Sequence, residues 1–317
     1  MRLGLYCNRF AWAGGDAAVA PGLAAVAREA EAAGFASFWV MDHFFQLPRH
    51  GAIDEPMLEG YAALAYVAGV TERIGLGTMV TGVTYRHPGV LVKTVTTLDV
   101  LSGGRASLGI GAAWFDREHD GLGIPFPPLT ERFERLEETL QIAHQMWRGE
   151  TGPSNGAHYQ LAETLCRPLP VQRPHPPIVV GGRGERKTLR LVAQYGDACN
   201  FTMFHYPPHL GEPAALAEVA HLLEVLRGHC ATLGRPFAEI ERTVLGWLPV
   251  AADGRAGAVT PKEALAILGR YAALGIDHVM IATSTLLPDG ADPATFPLFR
   301  DEIVPRATAL PVAGRPG

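Results

Sequence analysis

The chain has 317 residues, 48% of them hydrophobic and 19% charged, with a formal net charge of −5 and a pI of about 6.2. This size and apolar content suit one large domain or two small ones with an ample core, and the lack of a basic face argues against nucleic acid as a partner. No apolar run approaches the roughly 20 residues that a membrane helix needs, and the first residues lead straight into a strand-like run without the layout of a signal peptide.

Strand-like and helix-like segments alternate along the chain. Short apolar runs predict strands at residues 3–7, 38–41, 74–81, 106–110, 178–180, 198–201, 242–250 and 278–282. Periodic or alanine-rich segments predict helices at residues 20–33, 60–68, 88–101, 129–148, 185–195, 213–233, 261–273 and 292–304. Residues 150–177 carry many prolines without a clear period and are predicted to be an insertion.

The alternation predicts eight strand–helix units, and strands separated by helices pair in parallel. Eight such units in about 300 residues are typical of a (β/α)8 TIM barrel, with a doubly wound open sheet as the structural alternative. The even count and the uniform composition favour the barrel, as a single domain over residues 1–317 with its insertion at about 150–177. In a barrel, functional residues follow the carboxyl ends of the strands.

Two predicted strand ends carry side chains suited to proton transfer. Asp42 and His43 follow the second strand, and a carboxylate beside an imidazole can move a proton or bind the polar edge of a ring. Trp114, Glu118 and His119 follow the fourth strand, where the indole could stack on a ring. The structural alternatives are a backbone cap for Asp42, a packed imidazole for His43, and a solvated loop after the fourth strand.

The third predicted strand ends in apolar and small hydroxyl side chains. Met79, Val80 and Thr81 suit a flat ring, although by composition alone simple core packing is the better interpretation of Met79 and Val80. Pro88 is predicted to be the first residue of the following helix, where its missing N–H has no intrahelical acceptor.

Gly181, Gly182 and Gly184 separate the fifth predicted strand from its helix. The first N–H groups of a helix lack intrahelical partners and carry the positive end of the helix dipole, and glycine lets a phosphate approach them. Arg183 adds positive charge at the same end. The alternative is an ordinary tight turn, because the spacing matches neither a P-loop nor a full dinucleotide fingerprint.

Cysteine and histidine spacing predicts neither disulfides nor a metal site. The scattered cysteines are typical of reduced thiols in a cytosolic protein, so a cytoplasmic location is predicted. They are Cys7, Cys166, Cys199 and Cys230. The most closely spaced histidines considered as metal ligands, His205 and His209, are separated by two prolines and do not share a helical face.

Five short motifs follow one another with a characteristic order and spacing. They are residues 40–44 (VMDHF), 73–78 (RIGLGT), 85–88 (YRHP), 97–105 (TLDVLSGGR) and 108–111 (LGIG). The chain in these motifs resembles the bacterial luciferase-like monooxygenase family, most closely its branch that depends on the deazaflavin coenzyme F420. Segments 131–138 and 178–200 fit the same pattern, so the resemblance covers nearly the whole chain.

The resemblance implies a luciferase-like barrel with insertions, usually dimeric, that holds a flavin or deazaflavin ring at the carboxyl-end mouth. It implies a cis peptide bond between Met79 and Val80 beside the ring, and a phosphate site at Gly181 and Gly182. Asp42 maps near the polar edge of the deazaflavin, and His43 maps to an acid–base residue.

Strand ends and resemblance together give one set of candidate site residues. The candidate catalytic residues are His43 and Glu118. The candidate cofactor-binding residues are Asp42, Met79, Val80, Thr81, Gly82, Gly111, Ala112, Trp114, Gly181, Gly182, Arg183 and Gly184.

One departure from the family bears on the substrate. The sugar-phosphate dehydrogenases of the family carry a catalytic glutamate shortly after the glycines of the fourth strand, where Trp114 stands here. Glu118 lies four residues further on. Sugar-phosphate oxidation is therefore not predicted, and the substrate is expected to be another small organic molecule.

The expected activity is hydride transfer between coenzyme F420 and that substrate, with a homodimer as the assembly and a cofactor-reducing dehydrogenase as an indirect partner. An FMN-dependent monooxygenase served by a reductase is the first alternative. A non-catalytic flavin-binding protein without an open pocket is the second, and a metal-independent lyase on a barrel without the bend in the third strand is the third.

Overall fold

A ring of parallel strands closes at the centre of the protein. The computed structural model describes residues 1–204, 210–254, 257–283 and 295–315. In chain order its strands are β1 Arg2–Cys7, β2 Ser37–Val40, β3 Gly75–Thr78, β4 Thr81–Gly82, β5 Ala106–Gly111, β6 Ser154–Asn155, β7 Gln160–Leu161, β8 Ile178–Gly181, β9 Ala198–Thr202, β10 Glu241–Gly246 and β11 His278–Ala282. β3 and β4 form two halves of one barrel strand, because both pair with β5. Pairing of β1 with β11 closes the ring, so the predicted (β/α)8 barrel is confirmed.

Helices surround the barrel. In chain order they are α1 Val19–Ala32, α2 Gly60–Val70, α3 Pro88–Leu101, α4 Asp116–Leu122, α5 Leu129–Trp147, α6 Thr188–Tyr195, α7 Pro213–Leu233, α8 Pro261–Leu274, α9 Thr295–Leu298 and α10 Val304–Thr308. A π-helical turn, Phe299–Ile303, joins α9 to α10.

The barrel strands are short and buried on both faces, which is why they read in the sequence as apolar runs rather than as alternating patterns. Inward-pointing side chains form a cluster at the barrel axis: Tyr6, Trp39, Met41, Leu47, Met79, Phe115, Val179, Ala198, Leu245, Met280 and Ala282. A larger cluster lies between strands and helices. In α5 the apolar side chains at helical spacing face the core: Leu136, Leu140, Ala143 and Trp147 are buried and Phe133 is partly buried.

Local sequence sets several helix starts. Pro88 begins α3, as predicted, and the His87 side chain accepts the hydrogen bond of the Gly89 N–H. Thr260 and Glu263 form a capping box at the start of α8, each side chain accepting from the backbone N–H of the other residue.

The third predicted strand is divided. Residues 74–81 were expected to be continuous, but β3 ends at Thr78 and β4 begins at Thr81. The peptide bond between Met79 and Val80 is cis, which confirms the bond that the family resemblance implies.

The predicted strand at 242–250 was wrong at its carboxyl end, because β10 stops at Gly246. The Trp247 carbonyl accepts from the Leu210 N–H at 2.7 Å instead of from a barrel strand. Val250 forms an isolated bridge with Val259. A contact between residues distant in sequence thus takes the chain out of the sheet.

The helix predicted from residue 185 begins three residues later, at Thr188. The Leu189 N–H bonds to the Gly184 carbonyl, five residues back, at 3.1 Å. Residues 185–187 therefore form a wider turn that precedes the regular helix.

Helix α4 was missed by the sequence reading, which gave this segment as a loop. Its buried residues are Glu118 and His119, so its inward face is polar and shows no apolar period. The last predicted helix, at 292–304, begins within the described residues at Thr295 and runs through the π-helical turn to Thr308. Residues 292–294 lie outside the described residues.

Residues 150–177 connect α5 to β8 and contain the antiparallel pair β6–β7. The buried Asp99 carboxylate of α3 holds this segment, because it accepts from the N–H groups of Val171 at 2.6 Å and Gln172 at 3.1 Å.

We predict that Gly109→Ala destabilises the protein severely. A Cβ atom at this position would lie 1.8 Å from the Thr78 carbonyl oxygen, so the two strands would have to separate. Overpacking typically costs about 1–3 kcal/mol, and a clash with backbone lies at or above that range. The measurement is denaturant unfolding.

Gly269→Ala in α8 is the matched control, because nothing lies within 4 Å of its added Cβ. It is expected to be neutral or to stabilise by about 0.5–1 kcal/mol. Equal free energies of unfolding for the two variants would contradict the proposed packing of β3 on β5.

Candidate active site

A cavity of about 520 Å³ opens where the barrel strands end. Eleven of the candidate residues belong to its wall: His43, Met79, Val80, Thr81, Gly82, Gly111, Ala112, Trp114, Gly181, Gly182 and Gly184. Asp42, Glu118 and Arg183 do not line it. A larger groove of about 870 Å³ lies outside the barrel between α2 and α3 and contains none of the candidate residues.

Glu118 is the centre of a buried hydrogen-bond network beside the cavity. Helix α4 places its carboxylate where the side chain is 0% exposed. It accepts from the His43 imidazole at 2.7 Å, from the Tyr85 hydroxyl, and from the N–H groups of Phe44 at 2.8 Å and Phe45 at 3.3 Å. Glu118 therefore fixes the positions of His43, Tyr85 and the loop after β2. Trp114 lines the cavity, whereas Glu118 does not.

The charge of Glu118 is stabilised by these donors. Burial raises the pKa of its carboxyl group, but His43, Tyr85 and the Phe44 N–H together lower it by more. The net pKa lies below the ordinary value, so Glu118 is ionised at neutral pH.

His43 connects this hydrogen-bond network to the cavity. Its Nδ1 faces Glu118, and its ring meets Trp114 edge-on with a centroid distance of 5.6 Å. Phe115 and Tyr85 contact the ring in the same manner at 5.8 and 6.5 Å. Since Nδ1 is engaged, Nε2 is the atom that can exchange a proton with a bound molecule.

Asp42 forms an ion pair with Arg86. Its side chain is 0% exposed and accepts two hydrogen bonds from Arg86, at 2.6 and 2.9 Å. Arg86 also contacts Glu59 and lies over the Tyr61 ring at 4.8 Å. The carboxylate thus lies behind the cavity wall and fixes the loop after β4. Arg86 belongs to the YRHP motif, but nothing in the sequence indicated its partner.

The floor of the cavity is built around Val80. An added Cβ atom at Gly181 would lie 2.8 Å from a Val80 methyl group, and one at Gly111 would lie 3.0 Å from the other. Behind the floor the Thr81 hydroxyl bonds to those of Thr78 at 2.9 Å and Tyr61 at 2.8 Å. Val80 can occupy this position because its neighbours have no side chains.

The glycine loop after β8 forms the far end of the cavity. Gly182 has a φ of 133°, a region that side chains disfavour, and its N–H bonds to the Asn200 carbonyl at 3.1 Å. Thr188, the first residue of α6, also lines the cavity. Arg183 points away and pairs with Glu218 at 2.5 Å. Because the Gly182 N–H is already bonded, the group that this end of the cavity offers to an anion is the start of α6.

Several wall residues were missed by the sequence reading. The most prominent are Tyr6, Leu47, His50 and Phe204. Tyr6 is the last residue but one of β1, so the rule that sites lie at strand ends could have indicated it. Leu47 and His50 lie within the long loop after β2, where no periodic pattern marks which side chains turn inward.

No group of three or more His, Cys, Asp or Glu side chains suited to a metal ion occurs in residues 1–204, 210–254, 257–283 and 295–315. His205 and His209 lie outside the described residues. In the same part of the chain, no helix combines the length and apolar character needed to span a bilayer.

Comparison with known proteins shows which family this chain matches. A family model described as luciferase-like monooxygenase matches residues 1–272. An F420-dependent glucose-6-phosphate dehydrogenase from Kineococcus radiotolerans is 34% identical over 227 residues, which cover 71% of this chain and 63% of that protein. The aligned region thus spans less than two thirds of the length of this relative.

Two solved structures are similar in fold. A monooxygenase from Streptomyces bottropensis has a TM-score of 0.77 at 19% identity, covering 96% of this chain and 99% of that one. A coenzyme F420-dependent tetrahydromethanopterin reductase from Methanopyrus kandleri has a TM-score of 0.76 at 16% identity, covering 96% and 98%.

We predict that Glu118→Gln lowers the free energy of unfolding by about 1–3 kcal/mol at neutral pH, because an amide cannot accept all four hydrogen bonds. A carboxyl group whose pKa is depressed by folding stabilises the protein above its ordinary pKa of 4.5 and loses that effect as pH falls through the folded value. The difference between wild type and variant should therefore shrink in acid. Denaturant unfolding from about pH 3 to about pH 8 measures it.

Glu72→Gln is the matched control, since its side chain is 87% exposed. It should change stability by less than about 0.5 kcal/mol. A Glu118→Gln effect that stays constant from neutral to acidic pH would mean that the lost interaction is not that of a charged carboxylate.

Proposed function

Because this chain belongs to the luciferase-like monooxygenase family, we propose that it is an oxidoreductase that uses coenzyme F420 to transfer a hydride to or from a small organic substrate. The observation that carries the proposal is one cavity with a glycine loop and the start of α6 at one end and a carboxylate-held imidazole in its wall. The name of the relative at 34% identity supports F420 as the cofactor.

The residues present fit such a cofactor. Val80, Gly111 and Gly181 would support its flat ring, since the glycines leave backbone rather than side chains beside Val80. Gly182 and Gly184 would face its phosphate, next to the start of α6. When bound, the deazaflavin supplies the ring carbon that donates or accepts the hydride. Asp42 would act indirectly, by holding Arg86 and the loop that lines the cavity.

His43 is proposed as the acid–base residue. Glu118 holds its Nδ1 and leaves Nε2 to give a proton to a carbonyl oxygen or to take one from a hydroxyl group. The wall combines the aromatic side chains of Trp114 and Phe204 with the charged Arg49, whose guanidinium lies 5.2 Å from the centre of the Trp114 ring. A sugar phosphate is not the substrate that we propose, because Trp114 stands at the position of the catalytic glutamate of the sugar-phosphate dehydrogenases.

An open cavity beside His43 argues against a non-catalytic flavin-binding protein, which would need no room for a second reactant.

The cytoplasmic location, the homodimer and the indirect partnership with a cofactor-reducing dehydrogenase are parts of the same proposal. Val90, Leu101 and Leu165 are exposed in the groove outside α2 and α3, and exposed apolar patches of this kind are typical of protein interfaces.

We predict that the protein binds F420 more tightly than FMN in fluorescence titrations. Gly182→Val should weaken F420 binding at least about tenfold, because a β-branched residue disfavours positive φ and would crowd the phosphate.

Gly234→Val is the matched control, since Gly234 also has positive φ, 67°, but ends α7 away from the cavity. Tighter FMN binding would favour the monooxygenase alternative. Unchanged F420 affinity in a folded Gly182→Val protein would reduce the loop to a simple turn.

We predict that His43→Ala lowers kcat by about 10²–10⁴-fold with an alcohol or ketone that the wild type turns over, because a positioned acid–base group contributes that much. The Kd for F420 should change by less than about threefold. Cofactor absorbance follows turnover, and fluorescence follows binding.

His87→Ala is the control, since that imidazole caps α3 outside the cavity wall. A near-normal kcat for His43→Ala would make His43 a packing residue. A parallel loss of F420 affinity would assign it to cofactor binding instead.

A further inference from the structure

The cavity wall contains a second imidazole, that of His50, which the proposed proton transfer does not use. His50 is 8% exposed and lies in the loop after β2. Its ring contacts Phe204 and Trp247 edge-on, with centroid distances of 5.3 and 5.4 Å. These two aromatic rings fix its orientation.

The hydrogen bonds around Asn8 settle which ring nitrogen of His50 carries the proton. The Thr283 hydroxyl donates to Asn8 Oδ1 at 3.1 Å, which turns the amide nitrogen of Asn8 towards His50 Nδ1 at 3.0 Å. Nδ1 is therefore an acceptor. Burial lowers the pKa of His50 to about 3, with Arg49 and His43 acting in the same direction, so the ring is neutral and its proton is on Nε2.

The Nε2–H group is buried and has no hydrogen-bond partner among the residues that the structure describes. A buried donor without an acceptor is disfavoured, and such groups in folded proteins call for an explanation. The ring lines the cavity, so a molecule in the cavity can supply the acceptor that the described residues do not.

The position of His50 indicates which molecule this is. Asn8 and Thr283 follow β1 and β11, and Trp247 follows β10. Of these strands, β10 and β11 lie across the barrel from β4 and β5, which carry the cavity floor at Val80 and Gly111. A cofactor on that floor leaves the His50 side to the second reactant.

We propose that the His50 Nε2–H group binds an acceptor oxygen of the substrate, a carbonyl or hydroxyl oxygen, and thereby selects oxygenated compounds over cations of the same shape. A neutral N–H donor among aromatic rings suits such an oxygen, whereas an ammonium group offers it no lone pair. The proposal rests on the proposed function, because it assumes that the cofactor occupies the opposite side of the cavity.

Two substitutions separate the two nitrogen positions of His50. In His50→Gln the amide N–H reaches approximately the place of Nε2, so the cavity keeps its donor. In His50→Asn the amide oxygen reaches approximately the place of Nδ1, so Asn8 keeps its acceptor while the cavity loses its donor. His221→Asn, on the exposed surface of α7, is the control.

Calorimetric titration uses cyclohexanone as the probe and cyclohexylammonium as a shape-matched cation, each with and without F420. Cyclohexanone should bind the wild type and His50→Gln within about twofold of each other and His50→Asn about 3–10-fold more weakly, as expected for one neutral hydrogen bond. F420 affinity should be the same in all variants. Thermal stability should rank the two variants the other way round: His50→Gln should be less stable than His50→Asn, because His50→Gln loses the contact with Asn8.

Equal cyclohexanone affinities for the Gln and Asn variants would overturn the proposal, as would stronger binding of cyclohexylammonium or no binding of cyclohexanone to the wild type. Loss of F420 affinity in His50→Asn would assign the donor to the cofactor and also overturn it. If the wild type does not bind F420, the proposed function fails, but the titrations without cofactor still test His50.

Discussion

The barrel mouth depends on one buried carboxylate. Glu118 has no exposed surface, and an ionised group in such a place is stable only when donors replace the water it has lost. Its donors come from the loop after β2 and from the loop after β4, while the carboxylate itself is carried by α4. These three segments are far apart in sequence, and none of them can move without leaving the charge unsatisfied. The orientation of His43 follows from this constraint.

Much of the fold could be predicted because its dominant signal is local. Alternating apolar runs and periodic segments gave the strand–helix units, and the apolar residues at helical spacing in α5, such as Leu136, Leu140 and Ala143, are buried. The predictions were wrong where contacts between residues distant in sequence, or a polar buried face, determine the structure. β10 ends early because Trp247 bonds to Leu210, and α4 was hidden because its buried face is formed by Glu118 and His119.

The candidate site could be predicted in outline from the positions of strand ends. His43, Trp114 and the glycine loop lie in one cavity because carboxyl ends of parallel strands meet at one mouth. The sequence could not indicate which side chains contact each other. The partner of Asp42 is Arg86, 44 residues away, and the environment of His50 is assembled from loops after four different strands. No local pattern encodes such contacts.

The arrangement around Val80 has a consequence for how this barrel can change during evolution. The cavity floor consists of backbone and of glycines at which any side chain would collide with Val80. Single substitutions of these glycines are therefore not tolerated. Other parts of the wall are made of side chains on loops, such as Leu47, His50 and Trp114, to which that restriction does not apply. New selectivity can therefore arise by drift in the loops while the floor stays constant. For laboratory evolution, this divides the cavity into a half to be conserved and a half to be randomised.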